Sequence, residues 1–384
     1  MSGATPGTPP SRPTGGAAGV LEPVVDDHSI CVIGPALLEA EARAVLPEGA
    51  FEYIAGGAGD GWTLRGNLDR LASYAILARR MTGTARPNPS TTMLGRLVPA
   101  PIYVAPMGAQ DFAHLDAEVG SAAGAARAGI PFVLSSASNR SIEEVAAAGR
   151  DAPRMFGIYL NEDDKVNRAL VHRAVRANYE ALVLTVDSLG PGVSERYLQL
   201  GSPVSRVAGY GNFDPARGGV GQFRNLRHGF ANDDVAKLKE WSDLPVFVKG
   251  IVRPDDAERV IAKGADGVIV SNHGGRTLDG LPAAIDLLEP IAATVRGRVP
   301  VWFDGGIRRG QDVIRALALG ADAVGVGRPV LYALALGGAT GVSDFLEWLK
   351  RDFTTQMVQS GVFDVGSIDR GLVRLVLQDG ALER

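Results

Sequence analysis

The stretch PVFVKGIVRPDDAERVIAKGADGVIVSNH (residues 245–273) contains a complete structural repeat. It opens on a β-like apolar run, PVFVKG (245–250), and passes through PDDAERVIAKG (254–264), whose apolar residues recur at helical spacing and which ends in glycine. It closes on a second β-like run, GVIVSNH (267–273). Strands this continuously apolar, separated by a helix, belong to a parallel sheet buried on both faces.

The same rhythm extends outward in both directions. Apolar runs recur as PIYVAP (101–106), PFVLSS (131–136), MFGIYL (155–160), ALVLTVD (181–187), VPVWFDGG (299–306) and AVGVGRP (323–329), which makes eight in all. Helical patterns such as EVGSAAGAARAG (118–129), KVNRALVHRAVRA (165–177) and GQDVIRALALG (310–320) fill most of the intervals. Eight βα units predict an α/β fold of the TIM (β/α)8 type, with the active site at the C-terminal ends of the strands. Those ends carry Met107, Ser135, Tyr159, Asp187, Lys249, His273, Asp304 and Arg328, seven of the eight polar although the strand interiors are almost wholly apolar.

Two regions depart from the repeat. PALLEAEARAVLPEGAFEYIAGGAG (35–59) has apolar positions at helical spacing, so residues 28–95 are expected to form a helical lead-in followed by an irregular segment. After Asp187 the next strand begins only at Pro245, and the Gly-rich residues 188–230 predict a long flexible loop, a mobile lid or binding loop. Seventeen of the first nineteen residues are Gly, Ala, Pro, Ser or Thr, and residues 1–27 are expected to be a disordered tail ahead of a single domain over 28–384.

Composition narrows the function. With 46% hydrophobic and 21% charged residues the chain is neither disordered nor fibrous. Thirty-nine Lys and Arg against 43 Asp and Glu leave a formal charge of −4, so no nucleic-acid partner is expected. The one cysteine, Cys31, allows no internal disulfide or thiolate metal cluster, which points to the cytoplasm and to no metal. No run approaches the length of a membrane span, so no membrane partner is expected.

At the strand ends, DGGIRRG (304–310) and GVGRP (325–329) follow the last two strands, where this fold commonly binds phosphate. Gly305, Gly306, Arg308, Gly327 and Arg328 are therefore a candidate cradle for one phosphate monoester. Among the five histidines His273 is the best base, because it ends a strand beside Gly274, Gly275 and Arg276 and so shares a cavity with a guanidinium. His114 is its competitor, with a packing role as the alternative. Asp187 either orients the His273 imidazole or caps a helix. Lys249 either forms a Schiff base, pairs with a ligand anion, or stabilises negative charge on a cofactor ring.

Together FEYIAGGAGDGWTLRGN (51–67), VAPMGAQ (104–110), LSSAS (134–138), LTVD (184–187), VFVKG (246–250), VSNHGGRTLDG (270–280), FDGGIRRG (303–310) and VGRP (326–329) resemble the FMN-dependent α-hydroxy acid oxidase and dehydrogenase family, which includes glycolate oxidase, lactate oxidase and mandelate dehydrogenase. FEYIAGGAGD (51–60) and ALALGG (333–338) resemble the lactate oxidase branch most. The resemblance implies FMN as cofactor, a small hydroxy acid as substrate, dioxygen or another carrier as electron acceptor, and a tetramer. It implies that His273 accepts the proton with Asp187 bonded to it, that Arg276 and Tyr53 bind the substrate carboxylate and Tyr159 the hydroxyl, and that Lys249 lies by the flavin. It places Ala105, Pro106, Met107 and Gly108 along the flavin and Ser135, Thr185 and Ser271 on its ring or ribityl. Asp304, Gly306, Arg308, Gly327 and Arg328 would hold the ribityl and phosphate.

Several positions differ from the family pattern. DSLGPGVSERY (187–197) puts Ser194 where a second substrate-facing arginine is expected, with Arg196 two residues away as the alternative. Gly157 stands for a glutamine that bonds the flavin, Gly108 for an alanine, and HLDAE (114–118) for HPEGE. These changes predict a roomier, less anion-selective pocket and a substrate larger than glycolate. The alternatives to α-hydroxy acid oxidation are a specialised biosynthetic flavin oxidase acting on a bulkier or non-carboxylate alcohol or amine, and a non-redox phosphate-binding barrel.

Overall fold

A computed structural model describes residues 26–83, 85–190, 192–201, 209–231 and 233–376. Eight parallel strands are formed by the eight apolar runs: β1 (Ile102–Met107), β2 (Phe132–Ser135), β3 (Arg154–Ile158), β4 (Ala181–Thr185), β5 (Val246–Ile251), β6 (Gly267–Val270), β7 (Val301–Asp304) and β8 (Ala323–Val326). They close into a barrel, with β8 pairing to β1 and β6 to β7. Successive side chains point to opposite faces of a strand. Ile102 and Val104 accordingly join the outer core under the helices, whereas Tyr103 and Ala105 turn inward.

The barrel centre is filled by aromatic rings. Trp302 lies between Tyr103 and Phe247, with centroids 4.9 and 4.5 Å away. Room for Phe247 comes from Gly267 on the neighbouring strand, where a Cβ would fall 2.2 Å from the ring. Met93 and Val98 belong to the same inner cluster. They come from a hairpin, Thr91–Met93 with Arg96–Val98, turned at Leu94 and Gly95, both of positive φ. Burying these two side chains is worth about 1.5–3 kcal/mol each. The sequence pattern places Thr91–Met93 in the irregular segment expected up to residue 95 and carries no signal for Arg96–Val98.

The lead-in holds α1 (Pro35–Val45), α2 (Glu48–Ala55) and α3 (Trp62–Ala72). The barrel helices are α4 (Ala117–Arg127), α5 (Ile142–Gly149), α6 (Asp164–Arg176), the short α7 (Glu195–Gln199), α8 (Asp234–Trp241), α9 (Pro254–Ala262), α10 (Ala284–Val295), α11 (Gly310–Ala318) and α12 (Arg328–Ser360). Some begin where local chemistry satisfies or removes free N–H groups. α5 has Ser141 and Glu144 in a reciprocal capping box, and α9 starts on Pro254 with Asp255 and Asp256 in its first turn. α12 is long and apolar enough to cross a membrane, yet it breaks at Gly337 and Gly338 and is mostly buried against the rest of the fold.

Two expectations change. Residues 1–25 of the expected tail lie outside the described residues, but Asp27 accepts from the Thr340 N–H at 2.6 Å. Residues 202–208 of the loop after β4 also lie outside them; much of the rest is pinned rather than free. Gly59 of the lead-in donates to Val193 O and accepts from Glu195 N–H of that loop, Asn212 is fully buried and accepts from Ile142 N–H at 2.9 Å, and Arg227 N–H donates to Leu160 O at 2.9 Å. A glycine-rich composition leaves the backbone freedom to bend; these tertiary hydrogen bonds use it up.

Candidate active site

The lead-in fixes the mouth of the barrel. Asn67 of α3 and Asn272 exchange amide hydrogen bonds at 2.9 and 2.8 Å, and Asp279 accepts from the first N–H groups of α3. The segment between them, His273 to Arg276, is thereby held. His273 sits at φ 56°, a left-handed conformation uncommon for residues other than glycine, which the surrounding bonds impose on it. Nothing in the periodicity pointed to Asn67 or Asn272.

Around His273 the polar strand ends converge. Its Nδ1 lies 2.8 Å from Asp187 Oδ1, so Nδ1 carries the proton and Nε2 keeps its lone pair toward the Tyr159 hydroxyl at 3.5 Å. Lys249 Nζ donates to Ser271 Oγ at 2.9 Å and stands 3.5 Å from Asp187 Oδ2 and 3.7 Å from Asp304 Oδ2. The Ser271 hydroxyl donates to Asp304 Oδ1 at 2.6 Å and accepts from His273 N–H at 3.0 Å. Gly250 makes this approach possible: at φ 103° it has no Cβ to strike the Asp187 side chain. Burial alone would raise the Asp187 carboxyl, but Lys249 and His273 outweigh it and hold it at about 2. Burial would depress Lys249, and Asp187 and Asp304 reverse this and raise it. Burial, reinforced by the Asp187 charge, pushes the Tyr159 phenol up.

Two guanidiniums rest on the C-terminus of α2, whose free carbonyls and negative dipole end attract cations. Arg276 donates through NH1 to the carbonyls of Tyr53, Ile54 and Gly56, at 2.8, 3.2 and 3.1 Å, and lies 5.0 Å over the Tyr53 ring. Arg328 donates to Ile54, Gly56 and Gly274 carbonyls.

These groups open on one cavity of about 1160 Å³. Of the residues expected at the site, Tyr53, Ala105, Pro106, Met107, Gly108, Tyr159, Lys249, His273, Arg276, Asp304, Gly306, Arg308, Gly327 and Arg328 line it. Asp187 stands behind His273 and Lys249, while Ser135, Thr185 and Ser271 are buried at strand ends without lining the cavity. Ser135 Oγ instead accepts from Ala137 N–H at 3.1 Å. The loop after β4 adds Tyr210, Phe223, Arg224 and His228, which were not singled out individually; their only signal was membership of that loop.

The departures from the family pattern fall differently from expectation. Ser194 caps α7 by accepting from Tyr197 N–H at 3.4 Å, and Arg196 pairs with Glu48 at 2.8 Å; neither lines the cavity, so Arg196 does not replace the missing arginine. Gly108 does not widen the pocket, because a Cβ there would meet Ala137 O at 2.6 Å. Gly157 is likewise backed by Leu134 O and the Pro106 ring, each 3.2 Å from an added Cβ. The HLDAE segment is away from the cavity: His114 is buried and accepts from Asp116 N–H, and buried Glu118, raised to about 7 by desolvation, accepts three backbone N–H groups.

The donor set fits FMN. Arg308 and Arg328 both line the cavity, and among the described residues no carboxylate is bonded to either guanidinium. Burial lowers both, and Arg276 and Arg308 press Arg328 further, to about 9, with Glu39 and Tyr332 offsetting this only in part. A phosphate dianion would supply the missing countercharge, and Gly306 and the start of α12 at Gly327 would help to hold it. Asp304 Oδ2, buried and without a hydrogen-bond donor, suits a ribityl hydroxyl.

Comparison with known proteins agrees with this geometry. The family model described as FMN-dependent dehydrogenase matches residues 42–375. An L-lactate oxidase of Lactobacillus jensenii is 40% identical over 346 residues, 88% of this chain and 84% of that protein. 2-Hydroxyacid oxidase 1 of Mus musculus is 39% identical over 350 residues, 88% of this chain and 95% of that protein. A crystal structure of mandelate oxidase superposes with a TM-score of 0.83 at 36% identity, covering 88% of this chain and 98% of that one.

Proposed function

The chain belongs to the FMN-dependent dehydrogenase family, and from that premise we propose that it oxidises an α-hydroxy acid to the α-keto acid with His273 as the base. One observation carries the reading: an imidazole oriented by a buried carboxylate lines the same cavity as two guanidiniums on the last two βα loops that have no carboxylate partner among the described residues. FMN, when bound there, supplies the two-electron oxidising chemistry.

The protein does the rest. The guanidinium of Arg276, with NH1 tied to α2, presents its remaining N–H groups to the substrate carboxylate. Tyr159 and His273 Nε2 flank the place of the hydroxyl, whose proton passes to Nε2. Asp187, kept ionised by Lys249, stabilises the imidazolium that results. The relatives named as oxidases support dioxygen as the final acceptor. A tetrameric, cytoplasmic form is the one this reading expects, resting on the family resemblance and on the single exposed cysteine, Cys31.

The substrate is read as larger than glycolate. Tyr210, Phe213 and Phe223 of the loop give the cavity an apolar side suited to a substrate with an apolar substituent. A graded panel of hydroxy acids, scored by anaerobic bleaching of the bound flavin and by peroxide release in air, tests both points. Bleaching by at least one bulkier acid faster than by glycolate or lactate is expected. A colourless protein indifferent to added FMN would return the case to a non-redox barrel.

A second prediction concerns the cradle. Arg308→Ala is expected to weaken FMN retention by about ten- to a hundredfold, the value of one charge-assisted contact to phosphate, while flavin restored by excess FMN still bleaches. Equilibrium dialysis of FMN against both proteins reads the difference; equal retention would misplace the phosphate.

A further inference from the structure

The cations lining the cavity are all accounted for except one. Lys249 is held between Asp187 and Asp304, Arg227 pairs with Asp164 and Asp234, and Arg308 and Arg328 face the phosphate end. Arg276 spends NH1 on three backbone carbonyls. Arg224 also lines the cavity, yet among the described residues its guanidinium makes no hydrogen bond or ion pair.

Its place is fixed although its side chain is exposed. On one side Asn161 Nδ2 donates to Gln222 O at 2.8 Å; on the other Glu162 N–H donates to Asn225 O at 2.8 Å. The adjacent Phe223 ring packs on Tyr210 with centroids 4.0 Å apart. Tyr210 and Tyr53 line the same cavity, and Tyr53 is the ring beneath Arg276. Arg224 and Arg276 therefore line one cavity, Arg276 over the Tyr53 ring and Arg224 next to the Phe223 that packs on Tyr210. A carboxylate has two oxygens and about four acceptor directions, more than the free edge of one guanidinium fills.

We propose that Arg224 is the second cation of the substrate site, reaching from the loop to the substrate carboxylate that Arg276 also binds. This rests on the hydroxy acid reading above. It makes the loop after β4 a source of selectivity for an anionic substrate, taking the place that neither Ser194 nor Arg196 fills in this chain.

The test compares wild type, Arg224→Ala and Arg224→Lys, each loaded with FMN. The readouts are KM and kcat for the fastest acid of the panel, and dissociation constants for phenylacetate and phenylacetamide from perturbation of the flavin absorbance. Arg224→Ala is expected to raise KM and weaken phenylacetate by about ten- to a hundredfold, with kcat changed much less. It should leave phenylacetamide within about twofold and FMN content the same, and the lysine variant should recover part of the loss. Unchanged KM and phenylacetate affinity overturn the proposal. Equal weakening of acid and amide also overturns it, since that marks damage to the loop. Should no hydroxy acid bleach the wild type while phenylacetate still binds through Arg224, the reaction assigned above fails and the anion site stands; no phenylacetate binding to wild type defeats both.

Discussion

His273→Gln is expected to lower the rate of substrate-dependent flavin bleaching by about 10²- to 10⁴-fold, the usual worth of a positioned base, while FMN content stays at the wild-type level. The two readouts separate because the imidazole and the phosphate cradle sit on different strands. No neighbour can take over the proton. Asp187, held at about 2, is too weak a base, and Tyr159, raised by burial, keeps its proton. Since His273 occupies left-handed backbone, the same measurement on His273→Asn guards against a purely conformational loss: asparagine tolerates that region better and should be equally slow. Anaerobic stopped-flow absorbance gives the rate. Bleaching within tenfold of wild type in both variants would put the base elsewhere.

Lys249→Met is expected to cost about 3–5 kcal/mol of stability, the penalty for removing one partner of a buried ionic cluster. Lys249 is 3% exposed and is the cation between the Asp187 and Asp304 carboxylates. Without it the two carboxylates face each other with His273 as the nearest relief for Asp187 alone. The pH dependence gives a second signature. In the wild type Asp187 is depressed from 3.8 to about 2, so its contribution to stability is present above 3.8 and is lost as pH falls through about 2. In the variant burial acts unopposed by Lys249 and raises the carboxyl, so the penalty is largest at neutral pH and shrinks as the acid is protonated. Urea unfolding at pH 7 and pH 4 should show the gap between the two proteins narrowing at the lower pH. A gap below about 1 kcal/mol at pH 7, the range of exposed ion pairs, would mean that the cluster is solvated.

Much of the architecture was legible because it follows from local pattern. A strand covered on both faces must be apolar throughout, and a helix laid over it must be apolar at a period of 3.6, so GVIVSNH and PDDAERVIAKG declare themselves without knowledge of their neighbours. The hairpin of Thr91–Met93 and Arg96–Val98 did not, because three-residue strands carry too little pattern and only the barrel floor gives Met93 and Val98 something to pack on. The loop after β4 misled for a related reason. Its glycines announce backbone freedom, while the Asn212 and Asn161 side chains that restrain it look like ordinary loop polarity. Gly108 and Gly157 show the same limit from the other side: an absent side chain widens a pocket only if it would have pointed there, and here Ala137 and Pro106 fill the space.

By itself the sequence determined the barrel, the strand ends where chemistry gathers, and the residue types assembled there, since burial and periodicity act over a few neighbouring positions. Tertiary structure alone decided which of those residues meet: His273 with Asp187 across 86 positions, and Arg276 with the carbonyls of α2 more than 200 positions away. Hydrogen bonds and ion pairs act over a few ångströms and in particular directions, so their partners become definite only when the closed barrel and its helical lead-in bring distant backbone together.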